Sequence, residues 1–265
     1  MAFAQRATGM SNVYVGSMGW SYDFWKPGFY PKTLASSDFL AYYSKQFNSV
    51  EVDNTFYRIP RKQTVLSWRE QTPIGFVFSL KFPRVITHVK MLRDCEEETR
   101  VFLERVELLE EKLGVLLLQF PFLFRTEHVP LLEKFLGTLP KEHRYVVEVR
   151  NKKLLENSFY SMLKANGAAL AWVDSVSMPN VTEVTSKFLY VRWEGDRKKV
   201  NGALGKSEID RTNDIQLWAS KLKPYLKKQM DVFGYFSKYY SGNPTTDIQH
   251  FMNNLQSKEY TETTG

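Results

Sequence analysis

Charged and polar residues close several short apolar runs of this chain, and their side chains could bind an anionic substrate and move its protons. Carboxylates can transfer protons or hold a divalent metal, while lysine and arginine can neutralise a phosphate or carboxylate group. A glutamine adds a neutral hydrogen-bonding group. The residues that share this position are Glu51, Lys81, Gln119, Glu148, Arg150, Asp174 and Arg192.

These residues must be positioned by the runs that they close. Short apolar runs that end at turns are typical of strands covered on both faces. Eight such runs, mostly separated by amphipathic stretches, predict an α/β fold, a TIM-type (β/α)8 parallel barrel whose active face lies at the carboxyl ends of the strands. The predicted strands are residues 13–17, 49–54, 76–81, 115–119, 145–150, 168–174, 188–192 and 231–235.

Length and composition fit a single barrel domain, since the chain has 265 residues of which 43% are hydrophobic. We predict a lead-in at residues 1–12, the barrel at residues 13–256 and a polar tail at residues 257–265. No apolar run reaches about eighteen residues, and the first residues lack an apolar core, so neither a membrane span nor a secretory signal is expected. Cys95 is the only cysteine, which favours a cytoplasmic location.

The charge of the chain favours anionic partners. Its 36 basic and 29 acidic residues give a net charge of +7, which suits an anionic small molecule or a nucleic acid. The sequence has no Walker A motif, no GxGxxG and no nucleophile elbow, so a nucleotide cofactor bound by such motifs is not expected. It also has no HxH, no HExxH and no cysteine pair, which leaves open whether a divalent metal binds.

Two long loops are expected to form walls or lids at the active face. Residues 16–36 hold six aromatic side chains, which could stack on bases or sugars or could pack on one another as a cap. Trp20 and Tyr22 are the candidates for covering a substrate. The second loop is residues 193–211. The segment 192–199 at its start is strongly basic, and it could contact a phosphate backbone or form a solvated loop. Lys238, after the last run, is placed to bind phosphate.

Three residues are candidates for proton transfer. If Val50 and Val52 pack outward, Glu51 points into the barrel, where a carboxylate is costly unless it is paired or bound to a metal. Glu148 ends the fifth run. His88 follows the third run and could act as an acid, a base, a metal ligand or simply a hydrogen-bonding residue.

The remaining candidates would bind the substrate, and the expected mouth combines three carboxylates with three cations. Such a mouth permits two chemistries. Glu51, Glu148 and Asp174 could hold a hard divalent metal together with His88, or the charges could pair and one carboxylate could act without a metal. The substrate-binding candidates are Trp20, Tyr22, Asn54, Tyr57, Lys81, Gln119, Arg150, Asp174, Arg192 and Lys238.

Several segments resemble, in order, the motifs of the YecE-like family, the domain of unknown function 72. They are residues 16–31 (GSMGWSYDFWKPGFYP), 47–60 (FNSVEVDNTFYRIP), 78–88 (FSLKFPRVITH), 113–121 and 147–150. The resemblance extends over residues 13–256 and implies a TIM-type barrel, but it implies no particular reaction. The family often has a histidine and a glycine after the arginine of the seventh strand, whereas here Trp193 and Glu194 precede Gly195.

Three hypotheses follow from these residues. The first is an enzyme, a hydrolase of phosphate esters or phosphodiesters or an isomerase, that acts on a phosphorylated or nucleic-acid-derived substrate at the mouth. The second is a non-catalytic nucleic-acid-binding protein that uses the basic and aromatic loops. The third is a structural barrel with no ligand at its mouth.

Overall fold

The computed structural model describes residues 12–257 and contains one sheet of eight parallel strands. Each strand pairs with its neighbours in the order β1-β8-β7-β6-β5-β4-β3-β2, so the sheet curves into a nearly closed barrel and the predicted TIM-type fold is confirmed. The strands are β1 (Val13–Ser17), β2 (Ser49–Val52), β3 (Val77–Lys81), β4 (Leu113–Gln119), β5 (Arg144–Glu148), β6 (Ala169–Ser175), β7 (Phe188–Gly195) and β8 (Asp231–Phe236).

Helices follow every strand of the barrel except β6. None of the helices in residues 12–257 is long and apolar enough to cross a membrane. The predicted lead-in and tail fall, apart from Asn12 and Ser257, outside the described residues. The helices are α1 (Phe39–Gln46), α2 (Lys62–Glu70), α3 (Glu96–Val106), α4 (Val129–Thr138), α5 (Asn157–Ala165), α6 (Thr212–Lys227) and α7 (Pro244–Gln256).

The connection between β6 and β7 covers the outside of the barrel without a helix, although its sequence suggests weak helicity. The hydroxyl of Thr185 donates to the carbonyl of Ala168 at 2.7 Å and accepts from the amide of Leu170 at 2.8 Å. The indole nitrogen of Trp172 donates to the carbonyl of Glu183 at 2.8 Å. The connection therefore supplies hydrogen-bond partners to backbone and indole groups at β6 that would otherwise be buried without them.

The core has two layers, because successive side chains of a strand point to opposite faces of the sheet. One layer fills the barrel interior, and residues such as Leu117, Val146 and Tyr190 belong to it. The other layer, between sheet and helices, is larger and includes Trp172 and Trp193. The charged residues of the mouth continue the interior layer towards the carboxyl ends of the strands.

The barrel closes between β1 and β2 with few backbone hydrogen bonds. The side chain of Asn48 accepts from the amide of Val15 at 3.1 Å and donates to the carbonyl of Val13 at 2.7 Å. The amide of Gly19 donates to the carbonyl of Glu51 at 2.8 Å. At Gly16 the two strands approach so closely that an added Cβ would lie 1.9 Å from the carbonyl oxygen of Ser49. The hydroxyl of Tyr43 also joins the strands, since it accepts from the amide of Ser17 at 2.8 Å and donates to the carbonyl of Ser49 at 3.1 Å. The seam therefore depends on two side chains and on a residue without a Cβ.

The two long loops behave differently from one another. In the aromatic loop, Trp25 and Tyr30 are buried against α1, so half of this loop is the self-packed cap that the sequence allows. In the basic insertion, Glu208 accepts from the amides of Asn201 and Gly202, and its own amide donates to the carbonyl of Ser241 at 2.6 Å. The insertion is thereby fixed against the loop that follows β8.

Candidate functional site

The strand β7 carries the centre of the site. Phe188 and Tyr190 face the barrel interior, so the alternation of the strand also directs Arg192 and Glu194 inward. The strand is longer than the sequence suggests, since it runs to Gly195. A second charged residue of β7, Glu194, is therefore held at the mouth, at a point where the register with β6 shifts by one residue.

Arg192 is the hub of an ion cluster at the carboxyl end of the barrel. Its Nε and Nη2 donate to the two carboxylate oxygens of Glu51 at 2.9 and 2.8 Å, a bidentate pair. Its Nη1 donates to Glu148 at 2.5 Å and also to Glu194. Arg192, Glu51 and Glu148 are at most 2% exposed. The guanidinium thus has three carboxylate partners and is not free to bind an anion from solution.

Neutral groups hold the two buried carboxylates from below and from the side. The hydroxyl of Tyr190 donates to Glu51 at 2.7 Å, and the amide of Gln119 donates to Glu148 at 3.0 Å. Each donor comes from the barrel interior or from a neighbouring strand end. Because buried polar groups are stable only when their hydrogen bonds are satisfied, these contacts fix the orientation of the cluster.

Cations and a further carboxylate surround the cluster at the more accessible level of the mouth. The guanidinium of Arg150 lies 3.4 Å from Glu148 and 3.3 Å from Glu194, and its side chain is 42% exposed. Lys81 lies 3.3 Å from Asp53, with its ammonium over the ring of Phe56. Of these two cations, Arg150 is the one that a ligand entering the mouth reaches first, and Lys81, whose side chain is 11% exposed, lies deeper.

The environments of Glu51 and Glu194 shift their pKa values in opposite directions. Burial raises the pKa of Glu51, although Arg192 opposes this effect. The pKa of Glu194 is lowered: burial acts to raise it, but the combined charges of Arg192, Arg150 and Lys81 outweigh that effect. Opposite shifts in neighbouring carboxylates are typical of sites that transfer protons.

His88 lies beside the mouth in a short helical turn, Val85–Val89. Its Nδ1 is 2.9 Å from the hydroxyl of Thr87, and its ring meets the ring of Phe56 edge-on. Burial and the nearby cations Lys81, Arg150 and Arg84 lower the pKa of His88 to about 4. The imidazole is consequently neutral at pH 7 and serves as a hydrogen-bonding group there rather than as a cation.

The lowered pKa of His88 predicts a pH-dependent loss of stability. Unfolded, this residue binds a proton at its ordinary pKa of 6.5, whereas the folded protein leaves it neutral down to about pH 4. Protonation between these values favours the unfolded chain, so stability should fall as the pH is lowered through this window. We expect melting temperatures measured across it to fall more steeply for the wild type than for His88→Asn.

The matched control for this measurement is His250→Asn, which alters an exposed histidine of α7. That variant should follow the wild-type profile. Parallel profiles for the wild type and His88→Asn would contradict the assignment of the effect to His88.

Tyr22 and Lys238 form one wall of the mouth. The hydroxyl of Tyr22 donates to the carbonyl of Met18 at 2.8 Å, and Met18 itself contacts Arg192 through its sulfur. The ammonium of Lys238 lies over the rings of Tyr22, Phe24 and Tyr239 at 5.1–5.4 Å. Burial raises the pKa of Tyr22, with Asp53 adding to the effect, so its phenol stays protonated. The wall is aromatic and carries one cation.

Asp174 does not join the cluster, and the expectation that it faces the mouth is wrong. Its carboxylate accepts from the indole nitrogen of Trp218 on α6 at 2.7 Å and from the hydroxyl of Tyr240 at 3.4 Å. The reason lies in the alternation of β6, where Ala171 faces the barrel interior and Trp172 faces the helices. Alternation then places the next even-numbered residue, Asp174, on the outer face.

Three other predicted binding residues lie at the edge of the mouth or outside it. Trp20 packs edge-on against Trp68 of α2 and lines a groove beside the barrel. Asn54 lines the adjoining end of the same groove. Tyr57 is 79% exposed on the rim, in contact with the ring of Phe56. The expected convergence on one mouth therefore does not extend to these residues.

The most informative residue that the sequence analysis missed is Glu194. Its side chain is 15% exposed, more than Glu51 or Glu148, and only its Oε1 accepts hydrogen bonds from residues 12–257. The signal was present: a strand that places Arg192 inward places the residue two positions later inward as well. Tyr190, two positions earlier, could have been found by the same rule.

A divalent metal does not fit the carboxylates that the sequence offers for one. Glu51 and Glu148 both bind Arg192, and Asp174 lies on the outer face. Within residues 12–257, no group of three or more His, Cys, Asp or Glu side chains is arranged to hold a metal ion. Of the two chemistries that the sequence leaves open, the geometry favours paired charges.

Comparison with known protein families gives one matching family model. The model described as "Protein of unknown function DUF72" matches residues 14–264. The UPF0759 protein YecE of Escherichia coli (strain K12) is 37% identical over 139 residues, which are 52% of this chain and 48% of that protein. The match thus spans about half the length of this relative. The UPF0759 protein YunF of Bacillus subtilis (strain 168) is 29% identical over 280 aligned residues, covering 94% of this chain and 96% of YunF.

Solved structures of two similar proteins have the same fold. A DUF72 family protein from Thermotoga maritima MSB8 superposes with a TM-score of 0.76 at 26% identity, covering 93% of this chain and all of that one, 100%. A DUF72 family protein from Enterococcus faecalis V583 superposes with a TM-score of 0.72 at 20% identity, covering 94% of this chain and 99% of that chain. Both support the barrel that the strands define.

Proposed function

The chain belongs to the DUF72 family, whose description gives no activity. We therefore propose a function from the geometry of the mouth of its barrel. The protein is an enzyme that performs acid/base chemistry on a small anionic substrate. The proposed substrate is phosphorylated or derived from a nucleic acid. The reaction class is hydrolysis or isomerisation without a metal. The observation that carries this proposal is the carboxylate of Glu194, whose Oε2 has no partner in residues 12–257 although cations surround the group.

Glu194 is the proposed general base. Arg192, Arg150 and Lys81 lower its pKa, so it is ionised in the free protein. An anion bound against Arg150 and Lys81 would offset these two cations and exclude water, and both effects would raise the pKa of Glu194 towards the range of an efficient base. The substrate would then strengthen the group that acts on it.

Arg192, Glu51 and Glu148 have a positioning role in this proposal. They are buried beneath Glu194, so the acid/base role that the sequence suggests for Glu51 and Glu148 passes to the more accessible carboxylate. A cluster of four charged side chains at a barrel end is costly to bury, and apolar side chains of similar volume often give equal or greater stability. Its presence at the active face is the reason for preferring a functional site to a purely structural barrel.

Arg150 and Lys81 would bind the negative group of the substrate, and Tyr22 with Lys238 would form the wall opposite. Arg150 can turn towards a ligand, because its contacts with Glu148 and Glu194 are long, at 3.4 and 3.3 Å. His88 would donate or accept a hydrogen bond as a neutral imidazole. This arrangement gives each predicted cation except Arg192 a direct role.

The test is conversion of phosphate compounds followed by ³¹P NMR. The panel contains p-nitrophenyl phosphate, bis(p-nitrophenyl) phosphate, sugar phosphates and nucleoside monophosphates, each with the wild type and with Glu194→Gln. We expect the wild type to convert at least one compound and Glu194→Gln to reduce kcat by roughly 100-fold or more, the usual contribution of a general base. Arg150→Gln should chiefly raise KM, while Lys152→Gln, which alters an exposed neighbour, should change neither constant.

Equal turnover by the wild type and Glu194→Gln would refute the assignment of the base. Failure of the wild type to convert any compound, together with binding of the same compounds, would refute the enzyme and leave a binding protein.

One observation favours the alternative of a nucleic-acid-binding protein. Tyr57 and Phe122, on the loops after β2 and β4, are 79% and 64% exposed at the carboxyl end of the barrel. Exposed rings beside cations are typical of surfaces that stack the bases of single strands. The alternative predicts that affinity for an oligonucleotide falls steeply with salt and is unchanged in Glu194→Gln.

A further inference from the structure

A groove beside the barrel, separate from the ion cluster, has the features of a second binding site. It consists of two adjoining cavities of about 480 and 190 Å³ that share Arg61, Thr64 and Trp68. The larger cavity lies between α2 and the start of α1, and the smaller one reaches Asn54 after β2. The larger volume lies within the range of roughly 300–1,000 Å³ that small-molecule sites occupy.

The groove carries positive charge without a compensating carboxylate. Arg58 lines the smaller cavity and Arg61 lines both. Neither arginine has an ion pair among residues 12–257, and no Asp or Glu of this part of the chain lines either cavity. Arg69, which follows on helix α2, is by contrast paired with Glu110. Two free guanidinium groups in one groove favour a phosphate or carboxylate group as their ligand.

The walls next to these arginines suit a planar, hydrogen-bonding ligand. Trp20 and Trp68 meet edge-on, with ring centroids 5.8 Å apart. Trp68 is only 6% exposed, and its indole nitrogen has no hydrogen-bond partner among residues 12–257. Unlike the indole nitrogens of Trp25 and Trp193, which are buried without a partner, that of Trp68 remains accessible from the groove. Amide and hydroxyl groups complete the lining, namely those of Ser37, Asn54, Gln63, Thr64, Ser67 and Gln71.

We propose that this groove binds a nucleotide. Arg58 and Arg61 would hold the phosphate, and the base would contact the ring of Trp20 while its polar edge meets the indole nitrogen of Trp68 and the amides. The nucleotide could be a free molecule or one unit of a single strand, because both present the same phosphate and base. The proposal stands apart from the proposed function, since neither arginine nor either tryptophan belongs to the mouth.

The test is calorimetric titration with thymidine monophosphate, inorganic phosphate and an oligothymidylate of about twelve nucleotides. We expect thymidine monophosphate to saturate the groove and to bind there at least roughly tenfold more tightly than inorganic phosphate, because only the nucleotide uses the aromatic wall. Tighter binding of the oligothymidylate would identify a single strand as the source, and equal affinity would identify the free nucleotide.

Arg61→Gln and Arg58→Gln should each weaken binding of thymidine monophosphate by roughly tenfold or more. The matched control is Lys62→Gln, which removes one positive charge next to Arg61 at a residue that lines neither cavity. It should change the affinity by less than about twofold. Because all three side chains are exposed, the variants should fold, and circular dichroism would verify this.

Three outcomes with the probes and the groove variants would overturn the proposal, and a fourth outcome concerns Glu194→Gln. The first three are the absence of saturable binding by any of the three probes, an equal loss in Lys62→Gln and Arg61→Gln, and inorganic phosphate binding as tightly as the nucleotide. Glu194→Gln separates this site from the mouth: its titration should match the wild type. Loss of binding in Glu194→Gln but not in Arg61→Gln would place the nucleotide at the mouth and would also overturn the groove.

Discussion

Replacement of Arg192 by methionine is expected to lower the free energy of unfolding by about 3–5 kcal/mol at neutral pH. The substitution preserves much of the side-chain volume but leaves Glu51, Glu148 and Glu194 without their common partner. Two of these carboxylates are at most 2% exposed, so water cannot replace the lost hydrogen bonds without entering the barrel. Urea-induced unfolding, followed by circular dichroism, measures the loss.

The pH dependence of this loss identifies its cause. Uncompensated buried carboxylates take up protons more readily, so the deficit of Arg192→Met should shrink as the pH is lowered from about 7 to about 5. The triple variant that also carries Glu51→Gln and Glu148→Gln should recover much of the stability. The matched control is Arg144→Met, which breaks a partly exposed pair with Asp231 and should cost less than about 1 kcal/mol. A deficit of that small size in Arg192→Met would refute the account of the buried cluster.

Substitution of Gly16 by alanine is expected to destabilise the barrel by about 3 kcal/mol or more, at or beyond the usual cost of overpacking. The added Cβ would lie 1.9 Å from the carbonyl oxygen of Ser49, and it would also approach the hydroxyl of Tyr43 to 2.9 Å. The first of these contacts is with backbone, which cannot turn away as a flexible side chain could. The strands β1 and β2 must therefore separate, which would break the hydrogen bonds of Asn48 and of the Tyr43 hydroxyl that join them.

Gly137→Ala is the matched control for the seam. Gly137 lies in α4, and an added Cβ there would meet no atom within 4 Å. Alanine is the better helix former, so this variant should be more stable than the wild type by about 0.5–1 kcal/mol. Urea midpoints of the two variants should therefore move in opposite directions, and a Gly16→Ala protein as stable as the wild type would contradict the close approach.

The strands and the fold could be predicted because the pattern that specifies them is local. Each strand buried on both faces reads as a continuous apolar run, and predicted and observed boundaries differ by no more than three residues. The boundary that mattered was the end of β7, where Trp193 and Glu194 continue the strand. The predicted run stops at the charge of Arg192, but the strand continues because it pairs with β8 as far as Trp193 and with β6 as far as Gly195.

The site was predicted less completely, because a strand end specifies the position of a residue but not the direction of its side chain. Glu51, Glu148 and Arg192 meet at the mouth since each lies on the inward face of its strand. Asp174 ends a strand equally well but lies on the outward face. Residue size alone does not reveal the face, since the barrel interior holds the large Tyr190 as well as the small Ala171.

The groove could not be predicted from strand ends at all. Arg61 and Trp68 belong to the start and the interior of α2, while Trp20 comes from the loop after β1. Only the packing of α2 against the aromatic loop brings these residues together. The amphipathic pattern of a helix indicates which face is buried, but not which loop of another part of the chain covers it.

The diversion of Asp174 to the outer layer gives the mouth two unlike halves. Charged side chains of β2, β3, β5 and β7 reach it. On the other side, the inward residue at the end of β6 is Val173, Met18 lies over the end of β1, and Lys238 after β8 is surrounded by aromatic rings. A molecule with one charged end and one apolar end would satisfy both halves in a single orientation. If the mirror image of such a molecule bound with its charged and apolar ends in the same places, a different third substituent would face Glu194. The asymmetry of the barrel end is therefore a basis for distinguishing enantiomers.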